Sequence, residues 1–147
     1  RLKELGLTLS EASAPTNSYV SVKQTGKLLF VSGHGPKKGG KYPYLGKVGA
    51  EVTLGQAQES ARLCIINCLA SIKYHLGDLD KVKGIVKVVG YVSSIPTFTD
   101  QPKVINAASD LLIEIFGEAG RHAGSAVGMA VLPGEIPVEI EMVVEVS

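Results

Sequence analysis

The chain has no tryptophan, and aromatic residues make up only 5% of it. Surfaces that stack nucleobases need aromatic rings, so a nucleic-acid partner is not expected. The net charge is +1, without the broad positive field that draws in a phosphate backbone. No apolar run approaches the roughly 20 residues of a membrane helix, which excludes a membrane partner of that kind. No signal-peptide pattern is visible, and a cytoplasmic location is the expectation. The chain starts at Arg1 rather than Met, so some N-terminal residues are expected to be missing. Cysteine is scarce too: Cys64 and Cys68 only. Their i, i+4 spacing falls within a helical pattern, so a disulfide between them is not expected. With no neighbouring histidine or further cysteine they make a poor zinc site. They read as small buried apolar residues, and no metal is expected.

What is present suits one globular domain, residues 1–147, with 45% hydrophobic and 20% charged residues. Arg1–Leu7 reads as a short helix docking Leu2, Leu5 and Leu7. Ser10–Asn17 reads as a loop. Ser18–Gln24 and Lys27–Ser32 read as strands joined by a tight turn at Thr25-Gly26, and Gly33-His34-Gly35-Pro36 ends the second abruptly. Lys37, Lys38, Lys41 and Lys47 stud the following loop. They form either a phosphate-binding patch or a solvated loop, and no second basic cluster supports the patch.

Thr53 with Gln56 is a capping box. It opens a helix whose apolar positions run Leu54, Ala57, Ala61, Ile65, Leu69, Ile72 and Leu76, with Gly77 as its stop. Ile85–Val92 is a buried strand broken by Lys87 and Gly90. A second helix is capped by Thr99 or Asp100, has Pro102 in its first turn, and ends at Gly117 and Gly120.

The closing stretch, Gly120–Val144, organises the rest. Ser125–Val131 and Val138–Val146 read as a hairpin around Pro133, Gly134 and Pro137. The second run alternates: Val138, Ile140, Met142, Val144 and Val146 face one way, Glu139, Glu141 and Glu145 the other. The element order is thus ββαβαββ. Right-handed crossovers place both helices on one face of a single sheet. The other face, carrying Glu139 and Glu141, is large and open, so a homo-oligomer that closes sheet on sheet is expected.

In this order the residues resemble the RidA family, also called YjgF-like or L-PSP-like. Phe30-Val31-Ser32-Gly33 followed by His34 is similar to a strand ending Ser-Gly-Gln. Val86-Lys87 is similar to a central Val-Val-Lys, and Leu132-Pro133 with Glu139-Ile140-Glu141 to a closing Leu-Pro and Glu-Ile-Glu. Asn106 and Tyr19 fall where the family carries Asn and Tyr. The resemblance implies an α+β, chorismate-mutase-like fold and a homotrimer with ligand clefts between subunits. It implies hydrolysis of enamines and imines such as 2-aminoacrylate to 2-oxo acids and ammonia, with no cofactor. In the family an Arg binds the substrate carboxylate and a Glu orients water. Here the Arg position is Gly124, in His122-Ala123-Gly124-Ser125, and glycine cannot clamp a carboxylate.

Each candidate residue carries two readings. Glu139 is either the water-orienting carboxylate or a satisfied polar strand residue. Arg121 is either a substitute clamp or a helix-end residue. His122 and His34 are either ligand donors or structural histidines. Tyr19 either walls the cleft or packs, and Asn106 either holds a loop or contacts ligand. Ser125 can bond a ligand oxygen; as a nucleophile it lacks a base beside it. Gly33 belongs to the strand end at the cleft, and Gly124 makes room for a larger or uncharged ligand. Three functions follow: a small-molecule imine or enamine deaminase with altered substrate or weak activity, a non-catalytic metabolite-binding trimer, and, least supported, an endoribonuclease or translation inhibitor.

Overall fold

The computed structural model describes residues 1–9 and 17–147. The loop expected over Ser10–Asn17 therefore lies outside the described residues, except for Asn17. The first residues form turns and not the expected helix: Gly6 adopts φ +70° and stops the chain after one turn. Leu2, Leu5 and Leu7 still pack against the core.

Five strands and two helices follow. Strands β1 (Val22–Thr25) and β2 (Leu28–His34) are an antiparallel hairpin turned at Gly26, φ +57°. Helix α1 (Leu54–Leu76) begins with the capping box: Thr53 Oγ1 accepts from the Gln56 N–H, and the Thr53 N–H donates to Gln56 Oε1. It ends at Gly77, φ +85°, whose N–H donates to Lys73 O at 2.7 Å. Strand β3 is Val82–Ser93, helix α2 Gln101–Phe116, β4 Ala123–Met129 and β5 Val138–Val146. Asp100 precedes α2 without a side-chain capping bond, and Pro102 lies in the first turn.

The sheet order is β1-β2-β5-β3-β4. Here the expected closing hairpin is corrected. Strand β5 does not pair with β4; it runs antiparallel between β2 and β3. Strand β4 pairs parallel with β3, at the edge. The cause lies in the connections. Helix α2 is a crossover, and a crossover returns the chain parallel to the strand it left. The segment between β4 and β5 then carries the chain past the end of β3, where the Ser93 N–H donates to Pro137 O at 2.9 Å.

Both helices cover one face, as expected, and pack against each other. The core between them and the sheet holds Leu29, Ile65, Leu69, Leu111, Leu112 and Ile140, all 0% exposed. Cys64 and Cys68 are free and buried there, their thiols turned to Val138 O and Ile140 O on β5. Along β5 burial alternates strictly, so Glu139, Glu141, Val143 and Glu145 face away from the helices. On that open face Phe30, Val86 and Val127 are exposed by 47%, 43% and 41%. Among the described residues no helix is long and apolar enough to cross a membrane.

Candidate functional site

Glu139 lies near the start of β5, the central strand, on the open face, and its neighbours follow from register. Across one strand boundary lies Tyr91 of β3. Beyond Tyr91 lies Val127 of β4. On the other side a bulge in β2, between Val31 and His34, brings Gly33 against the carboxyl group. A Cβ built on Gly33 would lie 2.9 Å from Glu139 Cδ and 3.0 Å from Oε2. A Cβ there would force the carboxyl group to shift, so Gly33 leaves the room that Glu139 occupies beside β2.

The next residue on this face of β5 is Glu141. Tyr91 donates its phenolic hydrogen to Glu141 Oε1. Half-burial raises the proton affinity of Glu139, and the Glu141 charge adds to that. Tyr91 is pushed up to about 12, chiefly by the hydrogen bond to Glu141, then by burial and the two carboxylate charges. A groove of about 420 Å³ continues from Glu141, walled by Tyr19, Phe30 and Val143, with Lys23 and Lys87 at its sides. Tyr19 therefore lines a cavity on the Glu139 face. Ser125 pairs with Val89, which pairs with Glu141, so Ser125 belongs to the same face.

The remaining candidates collect elsewhere. Gly124 is in register with Val88, a core residue only 1% exposed. Its missing side chain would point to the helix side, where a Cβ would meet Val88 O at 3.0 Å and His122 Cδ2 at 3.8 Å. The His122 ring is turned to α2: Nδ1 donates to Gly120 O at 2.6 Å, and Nε2 faces Ser109 Oγ at 2.9 Å. Asn106 lies one helical turn before Ser109, exposed. Arg121 pairs with Glu118 at 3.0 Å and is 62% exposed. Within one chain, then, Glu139, Gly33, Tyr19 and Ser125 share the open face, while Asn106, His122 and Gly124 share the outer edge of β4 and α2.

His34 joins neither group. Its Nδ1 lies 2.6 Å from Ser32 O and its Nε2 2.8 Å from Ser71 Oγ on α1. A carbonyl oxygen only accepts, so Nδ1 carries the hydrogen, and in the neutral ring Nε2 accepts from the Ser71 hydroxyl. The ring pins the end of β2 to α1. Burial pushes its pKa below the ordinary 6.5, against the Ser32 carbonyl, which favours the charged form. A folded-state histidine with a depressed pKa binds fewer protons than the unfolded one. Stability is therefore full above pH 6.5 and declines as pH falls from there toward the folded-state value. His34→Gln is expected to remove up to about 1.4 kcal/mol per pH unit of that slope. Urea midpoints of both proteins between pH 8 and pH 5 check this; parallel curves would refute it.

Tyr91 is an open-face residue that the sequence leaves hidden within an apolar run, and Lys87, read as a break in that run, shares its face. The signal was there: Lys87, Val89 and Tyr91 alternate, so they share a face. Among the described residues no three His, Cys, Asp or Glu side chains gather as metal ligands would.

Known proteins share this fold. The family model described as "YjgF/chorismate mutase-like, putative endoribonuclease" matches residues 1–144. Protein TCP17 of Trypanosoma cruzi is 43% identical over 147 residues, covering 99% of this chain and 92% of that protein. The crystal structure of Atu1372, a protein of unknown function from Agrobacterium tumefaciens, is 46% identical with a TM-score of 0.93, covering 99% of this chain and 90% of that one. A "putative endoribonuclease" from Shewanella oneidensis is 33% identical with a TM-score of 0.94, covering 99% and 96%. A match running from the first residue into β5, on a five-stranded mixed sheet with both helices on one face, leaves one assignment: the chain belongs to the YjgF/chorismate mutase-like family.

Proposed function

We propose that this protein hydrolyses the C=N bond of small imines, or of enamines after tautomerisation, giving a carbonyl compound and ammonia. The observation that carries this reading is Glu139, a half-buried carboxyl group on the open sheet face whose proton affinity is raised and beside which Gly33 leaves room. Such a group can take a proton from water and return it to the substrate. Water adds to the imine carbon while Glu139 accepts one of its protons, and the C=N π pair moves to nitrogen, which takes that proton. Glu139 then removes the proton of the new hydroxyl, the C–N bond breaks, and nitrogen leaves as ammonia with that proton. No redox partner is needed.

The homotrimer belongs to the same proposal. Exposed Phe30, Val86 and Val127 on the open face favour burial against other copies. A second subunit would also bring an Asn106–His122–Gly124 edge toward a Glu139 face, which one chain alone keeps apart. At that edge Gly124 leaves no carboxylate clamp, and Arg121 is engaged by Glu118. Substrates lacking a carboxylate suit this edge best. A non-catalytic metabolite-binding trimer is the second reading, favoured by the same absence. The endoribonuclease name of the Shewanella relative finds little support in a chain with a +1 charge and 5% aromatics.

The test compares 2-iminobutanoate with an uncharged imine of similar size, using the natural protein and Gly124→Arg. The added side chain needs a shift of a few tenths of an ångström at Val88 O. The natural protein is expected to prefer the uncharged imine, and Gly124→Arg to gain at least about tenfold on 2-iminobutanoate, as one charged hydrogen-bonded contact implies. Absence of turnover by either protein on either imine would sink the hydrolase reading in favour of the binding trimer.

A further inference from the structure

We infer that Tyr91 is a positioning residue for Glu139: by donating its phenolic hydrogen to Glu141 it holds a second carboxylate beside Glu139, and so sets the pH at which Glu139 exchanges its proton. This rests on the imine-hydrolase reading for its consequence in turnover, but not for its electrostatics. Three observations on the sheet carry it. Tyr91 lies directly across from Glu139 in the β3–β5 register, yet its hydroxyl passes Glu139 and bonds Glu141. Glu139 and Glu141 stand two residues apart on one face of β5, so their charges oppose each other at close range. Gly33 leaves room for the Glu139 carboxyl group on the β2 side, where a Cβ would lie 2.9 Å from its Cδ.

Within one chain, Glu141 is the main charged neighbour of Glu139, and in the proposed trimer the partner's His122 edge would face it as well. From β5 there is Glu141; from β3, Tyr91, itself held neutral by its high pKa. From β2 there is Gly33 and from β4 Val127, neither of them titratable. Behind the strand, on α1, the Cys64 and Cys68 thiols are neutral, since burial raises both. Lys23 and Lys87 line the same groove as Glu141. A free glutamate at position 141 would swing toward those lysines, away from Glu139. The Tyr91 hydrogen bond ties it where its charge acts on Glu139, and a tied carboxylate keeps its orientation through the catalytic cycle.

The removal of one hydroxyl tests this. Tyr91→Phe keeps the ring and its shielding while releasing Glu141. In the natural protein the low-pH arm of the kcat/KM profile follows Glu139. Both Tyr91→Phe and Glu141→Gln are expected to move that arm down by about half a pH unit or more, because each weakens a like charge. The double variant is expected to shift no further than Glu141→Gln alone, since Tyr91 acts through Glu141. The same shifts should appear in the carboxyl-carbon NMR titration of Glu139, assigned by its loss in Glu139→Gln, without any substrate present. An unmoved titration in Tyr91→Phe, or shifts that add in the double variant, overturns the inference. A titration that moves in a protein that hydrolyses no imine supports the positioning and refutes the proposed reaction instead.

Discussion

Glu139→Gln is expected to lower kcat/KM for imine hydrolysis by about 10²- to 10⁴-fold, the usual contribution of a general acid–base group. Glutamine matches the carboxylate in size and still fits beside Gly33, so the geometry of the face is kept. What it cannot do is accept a proton from water or return one to nitrogen. The loss should fall on kcat and on kcat/KM together, because the proton moves only as the reaction proceeds. Stability should stay within about 0.5 kcal/mol of the natural protein, the usual range for a substitution that leaves the core alone. Any deviation should favour the variant, since the amide relieves repulsion from Glu141 and escapes the burial that disfavours the charged carboxylate. Glu139→Asp gives the second arm. It keeps the acid but draws it back by one methylene, and should retain part of the activity. Steady-state kinetics with 2-iminobutanoate and an uncharged imine, alongside urea melts, check all three statements. A Glu139→Gln enzyme with full activity would remove the basis of the proposed reaction.

Much of this arrangement is written locally in the sequence. The alternation of β5 places Glu139 and Glu141 on the face away from the helices without any knowledge of their neighbours. Thr53, Gln56 and Gly77 mark the ends of α1 because caps are chemistry between residues a few positions apart. The failures are non-local. Two strand-like runs with Pro133, Gly134 and Pro137 between them imitate a hairpin, but the partner of β4 was decided earlier, by the crossover through α2. His34 keeps two readings in the sequence because its second partner, Ser71, is 37 positions away. His122 follows the same rule with Ser109. In both cases the histidine bonds the carbonyl two residues back and a serine on a helix, so each fastens a strand end to the helical layer. Tyr91 was hidden for another reason. Apolar Val89 shares the open face with it, while Val88 and Val92 face the core, so both faces of β3 read together as one apolar run.

The largest stability effect is expected at Gly120, which carries no candidate chemistry. Gly120→Ala should destabilise the fold by about 3 kcal/mol or more, at the severe end for a single overpacking change. A Cβ at this buried residue would lie 2.3 Å from Leu112 O and 2.7 Å from Leu112 C. Both are backbone atoms of α2, and Leu112 is itself 0% exposed, so no side-chain rotation relieves the contact. The glycine cannot move off either. Its carbonyl accepts from His122 Nδ1, and the Arg121 N–H donates to Glu118 O at 3.1 Å, closing the turn that leads into β4. At Gly90 a Cβ would meet Ile105 Cδ1 at 2.3 Å, Cγ1 at 2.5 Å and Cγ2 at 3.0 Å, all of them side-chain atoms rather than backbone. Gly55→Ala is the control, since nothing lies within 4 Å and the site is in the first turn of α1; it should be neutral or stabilising by up to about 1 kcal/mol. In urea the Gly120→Ala midpoint should fall by about 1–3 M. A midpoint unchanged from the natural protein would mean that the turn and α2 are not in contact as described. The close packing also bears on function, because the chain leaves Gly120 directly into His122 and Gly124. A turn that must keep a glycine against the α2 backbone fixes the height at which β4 starts, and with it the edge that a second subunit's Glu139 would meet.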